Sequence, residues 1–225
     1  MKPRYLTDDQ IVAMIKRTNN EIKPKQIEIL RIFDIWARDN RLEYFLDYGS
    51  LLGAIRDGGM IPYDDDIDVT IDVKRLNELM NNAPNYTINE DVYIKKNPWN
   101  FFFFTHKTYG KIDLFPCSFH REVLIDHPNL ILKTHLKSYR PNIRILPQPL
   151  YNTKYIQFEG LNIPIPVNYD AILKLRYGDD YMTIYYANNH QYAPVGYQHN
   201  NFYKNNLRKL TREEVYRLVE RAKRE

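Results

Sequence analysis

Asp66-Ile67-Asp68-Val69 alternates acids with apolar residues, directly after two further aspartates, Asp64 and Asp65. No other stretch narrows the possible folds as much. An extended chain sends successive side chains to opposite faces, so Ile67 and Val69 share one side and Asp66 and Asp68 the other. The apolar side calls for burial against a packed layer. The acidic side calls for a cation, because neighbouring carboxylates raise each other's pKa. Hard oxygen ligands favour magnesium or manganese, and magnesium is typically held by one or two carboxylates plus substrate phosphates. The segment therefore reads as half of a metal-dependent phosphoryl-transfer site.

The chain that carries it has 225 residues, 44% of them hydrophobic and 27% charged, enough for a sizeable core in one domain and too apolar for disorder. A net charge of +4 permits phosphate-bearing substrates without pointing to nucleic acid, and no basic stripe or RNA-binding motif accompanies it. One cysteine, Cys117, excludes a disulfide framework within the chain and a cysteine-rich zinc module. The start is polar and the apolar runs are too short to span a bilayer, which reads as a cytoplasmic protein without a signal peptide or transmembrane segment. Phe101 to Phe104 fits a buried strand better than a membrane contact.

Local signals predict a helix capped by Thr7 through about Asn19, and a second helix beginning at Pro24 with Ile27, Leu30, Phe33 and Trp36 on its apolar stripe. Glu43 to Asp47 reads as a strand, Ser50 to Arg56 as a brief helix closed by Gly58-Gly59, and Ile67 to Ile71 as a second strand. A helix over 74–81 follows, then strands near 86–88, 92–95, 101–106 and 111–115, the last closed by Pro116. Tyr155 to Phe158 and Leu161 to Ile165 form a hairpin around Glu159-Gly160, and a helix over 169–177 stops at Gly178. Residues 117–150 carry few readable signals, and 188–206 read as a tyrosine-rich loop. Thr211 and Glu214 cap a last amphipathic helix whose arginines form its wet face. This order predicts an α+β fold with a mixed sheet and flanking helices, as one domain over 1–225.

Two-metal phosphoryl transfer needs metal carboxylates, a phosphate cradle, an orienting group for the nucleophile and charge neutralisation. Asp66 and Asp68 supply the first. Gly49 and Ser50, at a strand-to-helix turn, offer backbone amides to phosphate oxygens. Arg56 is a candidate second phosphate contact, since a guanidinium grips two oxygens at once. Asp113, flanked by apolar residues in Lys111-Ile-Asp-Leu-Phe115, is the candidate third metal ligand and the group that would hold the attacking hydroxyl. Lys111 would offset its charge or meet a phosphate. Each has a plainer reading in isolation: an acid run is usually a solvated turn, and Asp113 taken alone is a strand-end acid paired to Lys111. Asp64 and Asp65 read as turn formers or supporting acids.

Taken together, Tyr48 through Val69 resembles the signature of the LicD/fukutin-related phosphotransferases, within the polymerase-β-like nucleotidyltransferase superfamily. That superfamily pairs a Gly-Ser turn with Asp-x-Asp on the next strand and a later third Asp, as Gly49-Ser50, Asp66/Asp68 and Asp113 do here. The Leu-Leu-Gly-Ala-Ile-Arg56 insert and Ile61-Pro62 are more specific to the LicD type. So are Phe158-Glu-Gly160, Ile163-Pro-Ile-Pro166 and Arg176-Tyr-Gly-Asp-Asp-Tyr-Met182. The resemblance covers about residues 27–185, leaving a helical extension over about 207–225. Tyr63 stands where the family commonly has tryptophan, an aromatic exchange that alters packing more than chemistry. Zinc-loop insertions of some animal relatives have no counterpart.

The resemblance implies a nucleotidyltransferase-like core and transfer of a phospho-alcohol, phosphocholine or a polyol phosphate, from a CDP-activated donor to a hydroxyl, usually on a glycan, with release of CMP and with Mg2+ or Mn2+ as cofactor. For a CDP-choline donor an aromatic box is expected, with Tyr48, Tyr63, Trp99 and Tyr181 as candidates. Two rival readings stand beside it: a nucleotidyltransferase moving a nucleoside monophosphate from a nucleoside triphosphate to a small molecule, and a non-catalytic glycan-binding module. The second conflicts with the presence of all three carboxylates. Donor, acceptor and oligomeric state are not legible in the sequence.

Overall fold

The apolar half of the strand alternation decides how the sheet is covered. In the computed structural model, which describes residues 6–97, 101–117, 152–187 and 208–225, six strands pair in the order β1-β2-β6-β5-β4-β3. They are β1 (Tyr44–Leu46), β2 (Asp68–Asp72), β3 (Asn85–Thr87), β4 (Val92–Lys96), β5 (Phe102–His106) and β6 (Gly110–Cys117). β2 and β6 run parallel and every other pair in this sheet is antiparallel, so the sheet is mixed and the fold is α+β. Registers place Leu46, Val69, Leu114 and Phe102 in one row, and Tyr44 opposite Ile71. All of them are buried. The long helix α2 (Lys23–Asp39) covers this face, with Phe33 edge-on to Tyr44 and Phe104 at 4.9 and 5.1 Å. Such pairs each add about 0.5–1.5 kcal/mol beyond their area. Phe102 and Phe104 thus lie in the core, on a buried strand.

The opposite face of the sheet carries the polar set. Asp68 lies opposite Asp113 and Thr70 opposite Phe115, with Phe103 next to Asp113 on the other side. A slip of one residue between β2 and β6 would bury the acids and expose Val69 and Leu114. The core face therefore fixes which face is acidic.

Two expectations change. The first two helices do not separate before Pro24: α1 (Asp8–Arg17) runs through a π-helical turn, Thr18–Ile22, straight into α2. Pro24 sits in the first turn of α2, where its missing N–H costs little. Nor does Pro116 close β6, which continues to Cys117. The ladder to β5 ends at Leu114, so Pro116 has a strand neighbour on the β2 side only, an edge-like position that tolerates proline.

The brief helix α3 (Tyr48–Arg56) follows β1, and α4 (Val73–Leu79) follows β2. Gly53 of α3 lies where a Cβ would fall 2.4 Å from the Gly59 carbonyl oxygen, so only glycine lets the helix cross the returning chain. The hairpin β7 (Thr153–Phe158) and β8 (Leu161–Pro166) packs β8 against β1. At its turn Glu159 accepts from the Met60 N–H (2.8 Å) and pairs with Lys23 (2.6 Å), tying the hairpin to the end of α3 and the start of α2. Then comes α5 (Tyr169–Tyr177), followed by β9 (Ile184–Ala187), which pairs with β10 (Arg208–Thr211). The final helix α6 (Arg212–Arg224) packs on α1, as Arg217 reaches Asp8 and Arg221 reaches Asp9, and Arg208 at the start of β10 also pairs with Asp8. A second apolar cluster forms there, and Tyr63 packs against both it and the main core. Among the described residues, no helix is long and apolar enough to cross a membrane.

Candidate active site

Asp68 opens β2 and Asp113 sits opposite it on β6. Asp66 lies two residues ahead of β2, in chain already extended enough for the Ile67 carbonyl to accept from the Asp113 N–H at 3.0 Å. The parallel pairing thus brings Asp66, Asp68 and Asp113 together, with one carboxylate oxygen from each lying within 4.8 Å of the others. Asp64, Asp65 and Asp66 form a second such group, sharing Asp66. The acid loop is held from the π-helical turn and α2: the Thr18 hydroxyl donates to the Asp64 carbonyl (3.1 Å), and the Gln26 amide reaches that of Asp65 (3.5 Å).

Electrostatics make this cluster hungry for positive charge. Burial pushes the Asp64 carboxyl up to about 7, with the charges of Asp66 and Asp65 adding to it. Asp68 is raised well above the usual carboxylate range, first by burial and then by Asp66, Asp64 and Asp113. Lys111 pairs with Asp113 from the exposed side. An all-oxygen donor set, with the pKa of Asp68 held up by burial and by its neighbouring carboxylates, fits a hard divalent cation.

The β1–α3 turn lies against these acids. A Cβ on Gly49 would stand 2.7 Å from Asp64 Oδ2 and 3.8 Å from Asp68 Oδ2, so the turn's backbone approaches the carboxylates as only glycine allows. Ser50 is buried, and its hydroxyl oxygen accepts from the Asp68 N–H at 2.9 Å. Its hydroxyl thus braces the start of β2 beside the acids, which is separate from the phosphate role expected of the turn's backbone amides. Arg56 is buried at the far end of α3. Its guanidinium pairs with Asp57 (3.1 Å), donates to the Ile184 carbonyl (3.0 Å) and lies 3.5 Å over the Tyr185 ring. These partners occupy the fork that would grip a phosphate.

A pocket of about 130 Å³ opens beside Gly49, with Tyr63, Tyr177, Tyr181 and Tyr186 in its walls over Leu52, Ile61 and Ile184. Two of the aromatic candidates, Tyr63 and Tyr181, line it; the Tyr181 hydroxyl donates to Asp170 (2.9 Å), and burial raises its pKa to about 12. Tyr48 is placed elsewhere, against Phe115 at 4.5 Å and under the Arg176 guanidinium. Trp99 lies outside the described residues, as do most of 117–150 and the tyrosine-rich loop.

Sequence reasoning missed Asp47, Arg176 and Tyr177. Asp47 caps α3, accepts from the Thr70 hydroxyl at 2.6 Å and takes both Nη groups of Arg176. Burial works against the Arg176 charge, but the Asp47 carboxylate outweighs it and the pKa rises. Burial also raises the Tyr177 hydroxyl, with Arg176 opposing and Asp68, Asp47 and Asp64 adding. Arg176 and Tyr177 open the Arg176-Tyr-Gly-Asp-Asp-Tyr-Met182 stretch that carries part of the family resemblance, but that stretch assigns neither a role, and Asp47 reads only as the end of a strand.

Clustered acids on the polar face of a mixed sheet, beside a glycine turn at a helix start, put cation ligands and backbone amides where the phosphates of a phosphate ester could meet both. The chain belongs to the LicD/FKTN/FKRP family: the family model of its nucleotidyltransferase domain matches residues 41–168, which contain the turn and all the clustered acids. A transferase role of phosphotransferase or nucleotidyltransferase type comes with that membership. Arg176 and Tyr177 lie beyond the matched segment. Comparison with curated proteins finds no match.

Proposed function

We propose that the protein transfers a phospho-alcohol, phosphocholine or a polyol phosphate, from a CDP-linked donor to a hydroxyl of a glycan acceptor, releasing CMP. The observation that carries this reading is the convergence of Asp66, Asp68 and Asp113 beside the Gly49 turn in a chain of this family. Asp66, Asp68 and Asp113 would hold Mg2+ or Mn2+, which when bound would neutralise charge on the donor phosphates. Backbone amides of the Gly49 turn face those phosphates. Asp113 orients the acceptor hydroxyl and takes its proton as the new O–P bond forms. The bond from phosphorus to the CMP oxygen breaks, and CMP leaves with that electron pair. Lys111 balances the charge of Asp113. The tyrosine-walled pocket takes the donor's alcohol or base, and ring faces such as those of Tyr63 and Tyr181 would favour a quaternary ammonium.

The test is a panel of CDP-choline, CDP-ribitol, CDP-glycerol and CTP with Mg2+ or Mn2+. Metal-dependent CMP release from one CDP donor is expected, abolished by Asp66→Ala or Asp68→Ala. Pyrophosphate release from CTP would assign nucleotidyl transfer instead. Full activity in either variant would overturn the site assignment.

A further inference from the structure

The turn that brings Gly49 to the acids is an unfavourable one for the chain to make. Tyr48, its first residue, has φ +42°, a left-handed conformation that bulky residues avoid. Such a residue persists only where its surroundings over-determine it. Here they do, through Asp47. The Tyr48 N–H donates to Asp47 Oδ1 at 2.9 Å, and the Thr70 hydroxyl donates to Oδ2 at 2.6 Å. Arg176 donates to both oxygens, Nη2 to Oδ2 at 2.9 Å and Nη1 to Oδ1, while its guanidinium lies 4.1 Å over the Tyr48 ring. Asp47 is 1% exposed, so water does not compete for these bonds. One residue on, Gly49 touches Asp64; two residues on, Ser50 holds the Asp68 amide. The chain of contact runs from Arg176 to Asp47 and Tyr48, then to Gly49, Ser50 and Asp68.

We propose that Arg176 is a positioning residue: gripping Asp47 and covering Tyr48, it holds the β1–α3 turn in the left-handed conformation that sets Gly49 and Ser50 against the carboxylate cluster. Its role in turnover rests on the function proposed above. Lysine keeps the charge but offers neither a two-pronged grip nor a flat face for the ring, so Arg176→Lys separates geometry from charge.

The test measures single-residue amide hydrogen exchange and donor turnover on the full chain. In Arg176→Lys the Asp68 amide is expected to exchange about 10-fold faster or more, with Ile94 and Phe104 in β4 and β5 unchanged. For whichever CDP donor the wild type accepts, kcat should fall by about 10- to 100-fold, with KM moving less than about threefold. Thr70→Val, which removes one bond to Asp47, should shift both readouts in the same direction by a few-fold, and it decides the matter if Arg176→Lys does not fold. Asp68 exchange within about twofold of wild type would overturn the proposal, as would a uniform rise at all amides, the mark of a merely structural pair. If the wild type accepts no donor, the functional reading fails, and the Asp68 exchange still decides the positioning role.

Discussion

The two ends of α3 are anchored by the same chemistry arranged in opposite ways. At its start, an acid belonging to the helix cap, Asp47, takes an arginine from α5, 129 residues away. At its end, arginine and acid are neighbours, Arg56 and Asp57, and β9 supplies a ring and a carbonyl to the arginine and the Tyr185 hydroxyl to the acid. Both arginines are largely buried, at 13% and 2% side-chain exposure. The difference lies in what each pair touches. The long-range pair bears on a strained turn against the acid cluster, and the local pair bears on the strand whose Ile184 and Tyr186 line the pocket. One end of α3 therefore bears on the acid cluster and the other on the wall of the tyrosine-lined pocket.

The sharpest way to break this contrast is to remove each acid. Asp47→Ala strands a buried guanidinium and should cost about 3–5 kcal/mol in urea denaturation. Asp57→Ala leaves Arg56 its carbonyl and its ring and should cost about 2 kcal/mol. Equal losses would erase the distinction. In kinetics, Arg56→Lys should raise the donor KM by about fivefold or more and spare kcat, the reverse of Arg176→Lys.

A pH titration probes the acid end alone. The Asp64 pKa is raised to about 7, so the folded state holds a proton that the unfolded chain releases near pH 4. Stability is full below that pH and falls as pH rises through about 7. In EDTA, Tm should drop between pH 5 and 8. Mn2+ or Asp64→Asn should reduce the drop, and a drop undiminished in Asp64→Asn would count against this origin. The smallest effect is expected at the far end: Tyr185→Phe removes the hydroxyl donated to Asp57 and should cost about 1 kcal/mol by the same denaturation.

Much of this arrangement was legible residue by residue. Thr7 with Gln10 and Thr211 with Glu214 form the expected reciprocal caps. The alternation at Ile67 to Ile71 marks a strand with one buried face, and Asp113 in an apolar frame marks its acidic partner. Local patterns are readable because capping and pleating act within a few residues. Other features were beyond such reach. Arg56 sits where a phosphate grip looks natural, yet Tyr185, 129 positions later, occupies one side of it. β9 and β10 make a sheet of two short strands whose pairing spans the tyrosine-rich segment. The helix passes through the π turn before Pro24, where Thr18 reaches the acid loop.

The sequence by itself determined the α+β class and the acids that face one way, because these follow from periodicity and from residue types at short spacing, and its ordered motifs carried the family resemblance. Tertiary structure alone decided which arginine grips the turn beside the acid cluster and which lies at the pocket wall. A guanidinium's role depends on which carboxylate reaches it through a buried, low-dielectric path, and no spacing along the chain specifies that for Asp47 and Arg176.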